Sequence, residues 1–452
     1  MFGRHQPRAT IIKLTAIGGL LSFITLLYFS TNPSYRSRLA SSFFSERKRA
    51  SCPPRAWSNG TWQHKPHNVS HPLTQQEDVF DFSDLEGCTS DREFYWHLGV
   101  DHDDQYERFP DVMDYEWVPS DECTGVRKMD AGMFVRDLVQ EGGWLVLGDS
   151  ITENHFFSLS CSLFPHVRST PNYTENPYFD RAWPQNLYLN PSSPIIPSLS
   201  LPPGFSIEST PLVTFRRIDL LLSQSEIESV HRSIHPEMYE SESDPSVPEE
   251  ERFKLFSDEA FWTMSPAEYM KIFTSPLPGA RYGTLIVSTA GHWTTTLFGG
   301  LRDESKEDSG YGIESVLELF RESMKVWAGE VQRALVEDQR RQMREAVVVR
   351  AYLPGHENCR NIKSPWEEWV PYTVNWYNWP WIPNMNKIFE SILDSPSYPD
   401  VHFLPIDRPA LLRPDAHVSG DCLHLMTGTG VIEGWSRYIW HYVTREIPGR
   451  IR

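Results

Sequence analysis

The sequence predicts an α/β fold, a central and mostly parallel sheet with helices layered on it. Three observations lead there. Four short runs, Trp144–Gly148, Thr284–Ser288, Ala346–Leu353 and Val401–Ile406, are almost continuously apolar, as strands buried on both faces are. Between the second and third runs, Ile313–Glu345 repeats its apolar residues every three or four places, which predicts a long amphipathic helix. A shorter helical pattern, Asn386–Leu393, precedes the fourth run. Strands that alternate with helices in this way form layered, parallel sheets.

Taken in order, the chain begins with residues 1–13, which carry Arg4, Arg8 and Lys13 and read as a cytosolic tail. Leu14–Ser30 has no charge and, at about 17 residues, sits at the short end of a bilayer span. Arg36 and Arg38 follow, so the charge bias is modest. A cleaved signal peptide is the alternative. No small-x-small site follows the apolar run, so a transmembrane signal anchor with a lumenal body is expected. The short span suits the thin membranes of the endoplasmic reticulum or Golgi. Ser- and Arg-rich residues 31–50 read as a stem, and the body runs over 51–448. Within it, His235–Phe253 and Arg302–Gly312 are polar and acidic and read as exposed loops. No internal repeat is evident.

Composition agrees with a lumenal body. Asn59, Asn68 and Asn172 each begin a glycosylation sequon. Six cysteines, an even number, all follow the apolar segment. In an oxidising lumen they can form three bridges, with about 15 pairings open. No CxxC pair occurs, which argues against a zinc site. The net charge of −18 lacks the basic footprint of a nucleic-acid binder. It also disfavours polyanionic substrates unless a local basic pocket intervenes.

Candidate chemistry lies after the first and last strands. Gly148-Asp149-Ser150 follows the Trp144 run, and ligand sites in such sheets form at the carboxyl ends of strands. A serine nucleophile needs a base, and the base needs an orienting group. Asp421 and His424 stand three apart near the C-terminus. On a helical turn both would share a face, the carboxylate holding the imidazole and the imidazole reaching Ser150. Asp149 reads as a turn-stabilising residue. Trp366–Pro383 is rich in Trp and Tyr, which either stack on sugar rings or fill a core.

These motifs resemble the PC-esterase group of the SGNH (GDSL-type) superfamily, whose plant trichome-birefringence-like members are polysaccharide O-acetyltransferases. The similarity covers roughly Cys52–Tyr442, with the blocks in order: WVPSDEC at 117, GDSITENHFFSLSCSLF at 148, TPLVTFRRIDLLL at 210, TAGHW at 289, RAYLPGHENC at 350 and RPDAHVSGDCLH at 413. It implies a three-layer α/β/α SGNH fold and a membrane-anchored carbohydrate O-acyltransferase, moving acetyl through an acyl-enzyme. The catalytic residues it implies are Ser150, His424 and Asp421. Ser150 N–H, Asn154 and Thr289 would serve the oxyanion. Thr289 stands where the family has Asn, so a hydroxyl would have to donate. His292, Arg350, His356 and His417 carry over as cleft residues, with a packed structural role as the alternative for His292. The family pattern pairs Cys52 with Cys123, Cys88 with Cys161, and Cys359 with Cys422. No bound cofactor, metal or nucleotide is implied; an acyl donor is the cosubstrate and a glycan the acceptor. Two rivals remain: an esterase using the same residues on water, and a glycan-binding protein without catalysis. The intact Ser150, Asp421 and His424 argue against the second.

Overall fold

A computed structural model of the chain describes residues 50–447 except 70, 171–183, 340–344, 376 and 419–420. The expected cytosolic tail, membrane segment and all of the stem but Ala50 lie outside the described residues, as does Asn172. Among the described residues no helix is long and apolar enough to cross a membrane. Asn59 and Asn68 are both exposed, as glycan acceptors must be.

A small antiparallel ribbon comes first, β1 (Thr61–His64) paired with β2 (Tyr115–Val118). The main sheet then takes β3 (Gly143–Gly148), β4 (Val167–Thr170), β5 (Gln185–Leu189), β6 (Pro211–Arg217), β7 (Tyr282–Ser288), β8 (Ala346–Arg350) and β9 (Val401–Leu404). Their order across its seven strands is β4-β5-β6-β3-β7-β8-β9. β6, β3, β7, β8 and β9 are parallel, while β5 and β4 extend one edge antiparallel. The four apolar runs are thus strands β3, β7, β8 and β9. β4 and β5 are marked by no apolar run; β5 alternates buried and half-buried residues, and β4 buries only its first residue.

The longer helices are α1 (Ala131–Glu141), α2 (Ser150–Ser162), α3 (Gln224–Ile234), α4 (Pro266–Thr274), α5 (Ile313–Gln339), α6 (Ile382–Leu393) and α7 (Val431–His441). They pack as two groups. α2 meets α7 through His155 and Ser436, and α1 meets α7 through Phe134 stacked on Trp440 at 4.8 Å. α3, α4 and α6 pack on α5. The α5 stripe Val316, Leu319, Phe320, Trp327, Val331 and Leu335 is buried, following the expected helical period. Trp327 also donates to Tyr269 Oη at 2.6 Å, and Tyr269 donates on to the Leu221 carbonyl at 2.9 Å. β3, β7 and β8 are buried along their whole length. Each of their large aliphatic side chains contributes about 1.5–3 kcal/mol on burial.

Two expected loops are more ordered than their composition implies. Residues 235–253 hold short 3-10 turns, Pro236–Ser243 and Glu249–Glu251. Tyr239 anchors the first, bonded to His231 Nδ1 at 2.7 Å and lying under the Arg232 guanidinium. Residues 302–312 hold a 3-10 turn, Glu304–Ser309, anchored where Asn378 Nδ2 donates to the Gly310 carbonyl at 2.8 Å. The first stretch is docked by an aromatic of its own, the second by an amide from another segment.

After β3 the chain builds β4, β5 and β6 on one side, then returns to place β7 on the other. The carboxyl end of β3 is therefore where the strand order switches direction, and a crevice opens at such a point.

Candidate active site

Gly148 ends β3 in a space that admits no side chain. A Cβ there would lie 2.2 Å from Thr152 Oγ1 and 2.6 Å from the Ser288 carbonyl oxygen. Asp149 then caps α2, its Oδ1 accepting from the Ile151 N–H at 3.1 Å, which is the turn role read from the sequence. Ser150 becomes the first residue of α2. The amino end of a helix favours negative charge, because its backbone N–H groups have no helical partner.

Ser150 Oγ lies 2.8 Å from His424 Nε2, and His424 Nδ1 lies 2.7 Å from Asp421 Oδ2. The sequence puts Asp421 and His424 on one face of a helical turn; the structure has a bend instead. Asp421 Oδ1 accepts from the backbone N–H groups of Leu423 and His424, both at 2.8 Å. One carboxylate thereby folds the bend with one oxygen and holds the imidazole with the other. Burial alone would raise the Asp421 carboxyl. The His424 ring and the two backbone N–H groups outweigh burial and hold it below its ordinary value.

The segment carrying the pair is fixed from several sides. All three disulfides implied by the resemblance are formed: Cys52–Cys123, Cys88–Cys161 and Cys359–Cys422. The last ties Cys422, the residue after Asp421, to the loop after β8. Trp96 leans on the His424 ring at 5.1 Å. Trp96 and His97 come from a helical turn, Phe94–His97, that no sequence motif marks.

Neither side chain offered for the oxyanion is free for that work. Thr289 Oγ1 donates to the Asp219 carbonyl at 2.5 Å and accepts from Trp293 Nε1 at 3.1 Å. Asn154 is buried; its Nδ2 donates to His97 Nδ1 at 3.0 Å and its Oδ1 accepts from the Leu425 N–H at 3.1 Å. His97 can accept because burial, with His424 and Arg92 nearby, keeps it neutral. Asn154 therefore latches α2 to the residue after His424. Asn154→Ala should leave a buried N–H and a ring nitrogen unpaired, at a cost of about 1–3 kcal/mol. Thermal unfolding should show that loss, and the reactivity of Ser150 toward an activated ester should fall roughly tenfold or more as His424 loosens. An unchanged acylation rate in a destabilised variant would reduce Asn154 to packing.

Of the four residues carried over to the cleft, His292 alone lines the cavity that holds Ser150. Its Nε2 faces Arg217 Nη2 at 3.5 Å. Arg350 is buried instead, its guanidinium 4.1 Å from the Trp435 ring and donating to the Ala351 carbonyl. Burial pulls its pKa down to about 10, against the pull of Asp149, Tyr352 and Asp407. His356 and His417 are also buried and form a line behind the site. His356 Nε2 meets the Leu411 carbonyl at 3.0 Å, His356 Nδ1 meets His417 Nε2 at 2.6 Å, and His417 Nδ1 meets the His424 carbonyl at 2.9 Å.

The cavity measures about 660 Å³. Trp96, Tyr352, Tyr377 and Trp379 supply aromatic walls, with Arg217 and His292 as polar groups beside Ser150. Tyr377 and Trp379 belong to the aromatic stretch singled out in the sequence; Trp366 of the same stretch packs edge-on against His356 at 5.2 Å. The stretch thus serves both wall and core. Arg217, at the end of β6 beside Gly148, is a further site residue that the sequence left unmarked. Asp219 fixes it at 2.9 Å.

Compared with known proteins, the chain matches no family model, and no curated protein is significantly similar to it.

Proposed function

We propose that this chain is a membrane-anchored, lumenal carbohydrate O-acyltransferase of SGNH type, with acetyl as the acyl group. The observation that carries the reading is the continuous line from Asp421 through His424 to Ser150 Oγ, opening into an aromatic-walled cavity. Three further observations support it. The serine begins a helix at the carboxyl end of the central strand, and the Asp–His pair lies on the C-terminal segment after the last strand. The motif order resembles the PC-esterase group. Three disulfides fit an oxidising lumen.

In this mechanism His424 Nε2 takes the Ser150 proton as Oγ attacks the acyl carbonyl, forming the Oγ–C bond. Asp421 holds Nδ1–H and stabilises the imidazolium. The Ser150 backbone N–H at the helix terminus faces the developing oxyanion. As the tetrahedral centre collapses, the donor leaves with the proton from His424, and acyl-Ser150 remains. A sugar hydroxyl then enters along the Trp96, Tyr377 and Trp379 walls. Aromatic faces suit the apolar face of a pyranose ring. His424 takes the hydroxyl proton as the sugar oxygen bonds to the acyl carbon, the ester bond to Ser150 breaks, and the proton returns to Oγ.

Product analysis with an activated acetyl ester tests this directly. With a panel of oligosaccharides, acetyl should appear on sugar faster than on water by about tenfold or more. Hydrolysis at the same rate with and without sugar would make the protein an esterase. No acetyl-Ser150 at all would leave a glycan binder.

A further inference from the structure

Behind the site, two imidazoles make three contacts that a neutral pair cannot supply. Two of the contacts end on carbonyl oxygens, Leu411 O and His424 O, which only accept. The third joins the rings, His356 Nδ1 to His417 Nε2 at 2.6 Å, and needs one N–H between two nitrogens. The line therefore requires three ring protons, and two neutral imidazoles carry two. We infer that His356 and His417 share one extra proton, and that this cationic pair positions the His424 backbone and opposes protonation of the His424 ring. The inference rests on the acyl-transfer reading for its consequence, though not for the proton count.

The surroundings bear on the balance. Burial pushes both rings toward their neutral forms, and for His417 the neighbouring His356 and His424 rings push the same way. Against it stand the hydrogen bonds to the Leu411 and His424 carbonyls, Asp415 facing His356, and Asp421 facing His417. Asp415 is itself bound to Arg413 at 3.0 Å, and Arg108 Nη1 donates to the His417 carbonyl at 2.6 Å. Trp366 closes the remaining side of His356. Asp421 is thus the carboxylate left to balance the pair, against the Arg108 guanidinium that touches the His417 carbonyl. Losing the shared proton would turn a ring lone pair toward one of the two carbonyls and break that contact.

The consequence is a shifted working range. A general base works only while unprotonated. A positive charge held against its backbone disfavours a second one on its ring, so removing the pair's charge should ease protonation of the His424 ring. His356 and His417 are positioning residues here, since neither touches the cavity.

Two measurements on the full-length protein decide the matter. In protein labelled with 15N-histidine, with resonances assigned through His356→Gln and His417→Gln, three of the pair's four ring nitrogens should carry protons at about pH 7. Ser150 acetylation by p-nitrophenyl acetate should lose its acid limb at higher pH in both variants, shifted by roughly 0.5–1 pH unit. A merely structural role would lower the rate without moving the limb. Two protonated nitrogens on the pair, or an acid limb unmoved in both variants, would overturn the inference. If the wild type does not acetylate Ser150, the acyl-transfer reading fails, and the nitrogen count alone decides the proton.

Discussion

Ser150→Ala is expected to lower acyl transfer by roughly four to six orders of magnitude while leaving the fold intact. The size follows from the geometry. Ser150 Oγ is within hydrogen-bond reach of His424 Nε2 in the cavity, and among the described residues no second hydroxyl is bonded to that nitrogen. The fold should survive, because the hydroxyl makes one contact on the open side and α2 keeps its Asp149 cap. His424→Ala should cause a similar loss, and the double variant should be little worse than either single one, since the groups act as a unit. Asp421→Asn should cost somewhat less activity but more order. An amide in place of Oδ2 turns the imidazole toward the wrong tautomer, by about 10⁴ in comparable sites. The carboxylate also folds the bend through Leu423 and His424 N–H. Single-turnover acetylation and thermal unfolding separate the two effects. Ser150→Ala protein that kept a tenth of its rate would move the nucleophile elsewhere.

What the sequence made legible was local. Four of the seven strands of the main sheet showed because buried parallel strands are runs of apolar residues, and α5 showed because its buried stripe repeats with the helical turn. Ser150 and the Asp421–His424 pair were legible because each sits in a short segment whose chemistry is self-contained. Even there the local geometry differed: the pair shares a bend closed by its own carboxylate. The remaining roles depended on partners far away in the chain. Asn154 reads as an oxyanion donor until Leu425, 271 positions on, is placed beside it. His417 reads as a cleft histidine until His356, 61 positions earlier, is packed against it. Thr289 reads as a spare hydroxyl until the Asp219 carbonyl takes it. Trp96 and His97 enter from a region without motif residues, carried there in part by the Cys88–Cys161 bridge. Residue type advertises what a side chain can do. Only the long-range fold decides whether its donors and acceptors are already spent, as Asn154 and Thr289 illustrate.

Removing the Cys359–Cys422 bridge is expected to damage activity out of proportion to stability. The bridge closes 63 residues, worth roughly 4 kcal/mol in the chain-entropy account. Cys52–Cys123 closes 71, so its entropic worth is nearly the same. Unfolding temperatures of the two double-serine variants should therefore fall alike, by roughly 5 °C for a body of this size. Their activities should part. Cys422 lies between Asp421 and His424, and its carbonyl accepts from the His356 N–H at 2.8 Å. Cutting the bridge frees the segment that aims the imidazole, and a misplacement of about 1 Å at such a group can cost about a hundredfold in rate. Cys52–Cys123 instead ties the start of the body to the segment after β2, and Cys52 is held besides by Glu446 at its N–H. Its loss should leave the rate of folded protein within about threefold of the wild type. The physical point is that a covalent tie at a triad segment restrains the native geometry as well as the unfolded chain, and only the first restraint reaches kcat. Acetylation rates normalised to folded protein, measured well below both unfolding temperatures, separate the two. Equal rate losses in the two variants would mean that the bend keeps its shape without the bridge, held by Asp421 and Asn154 alone.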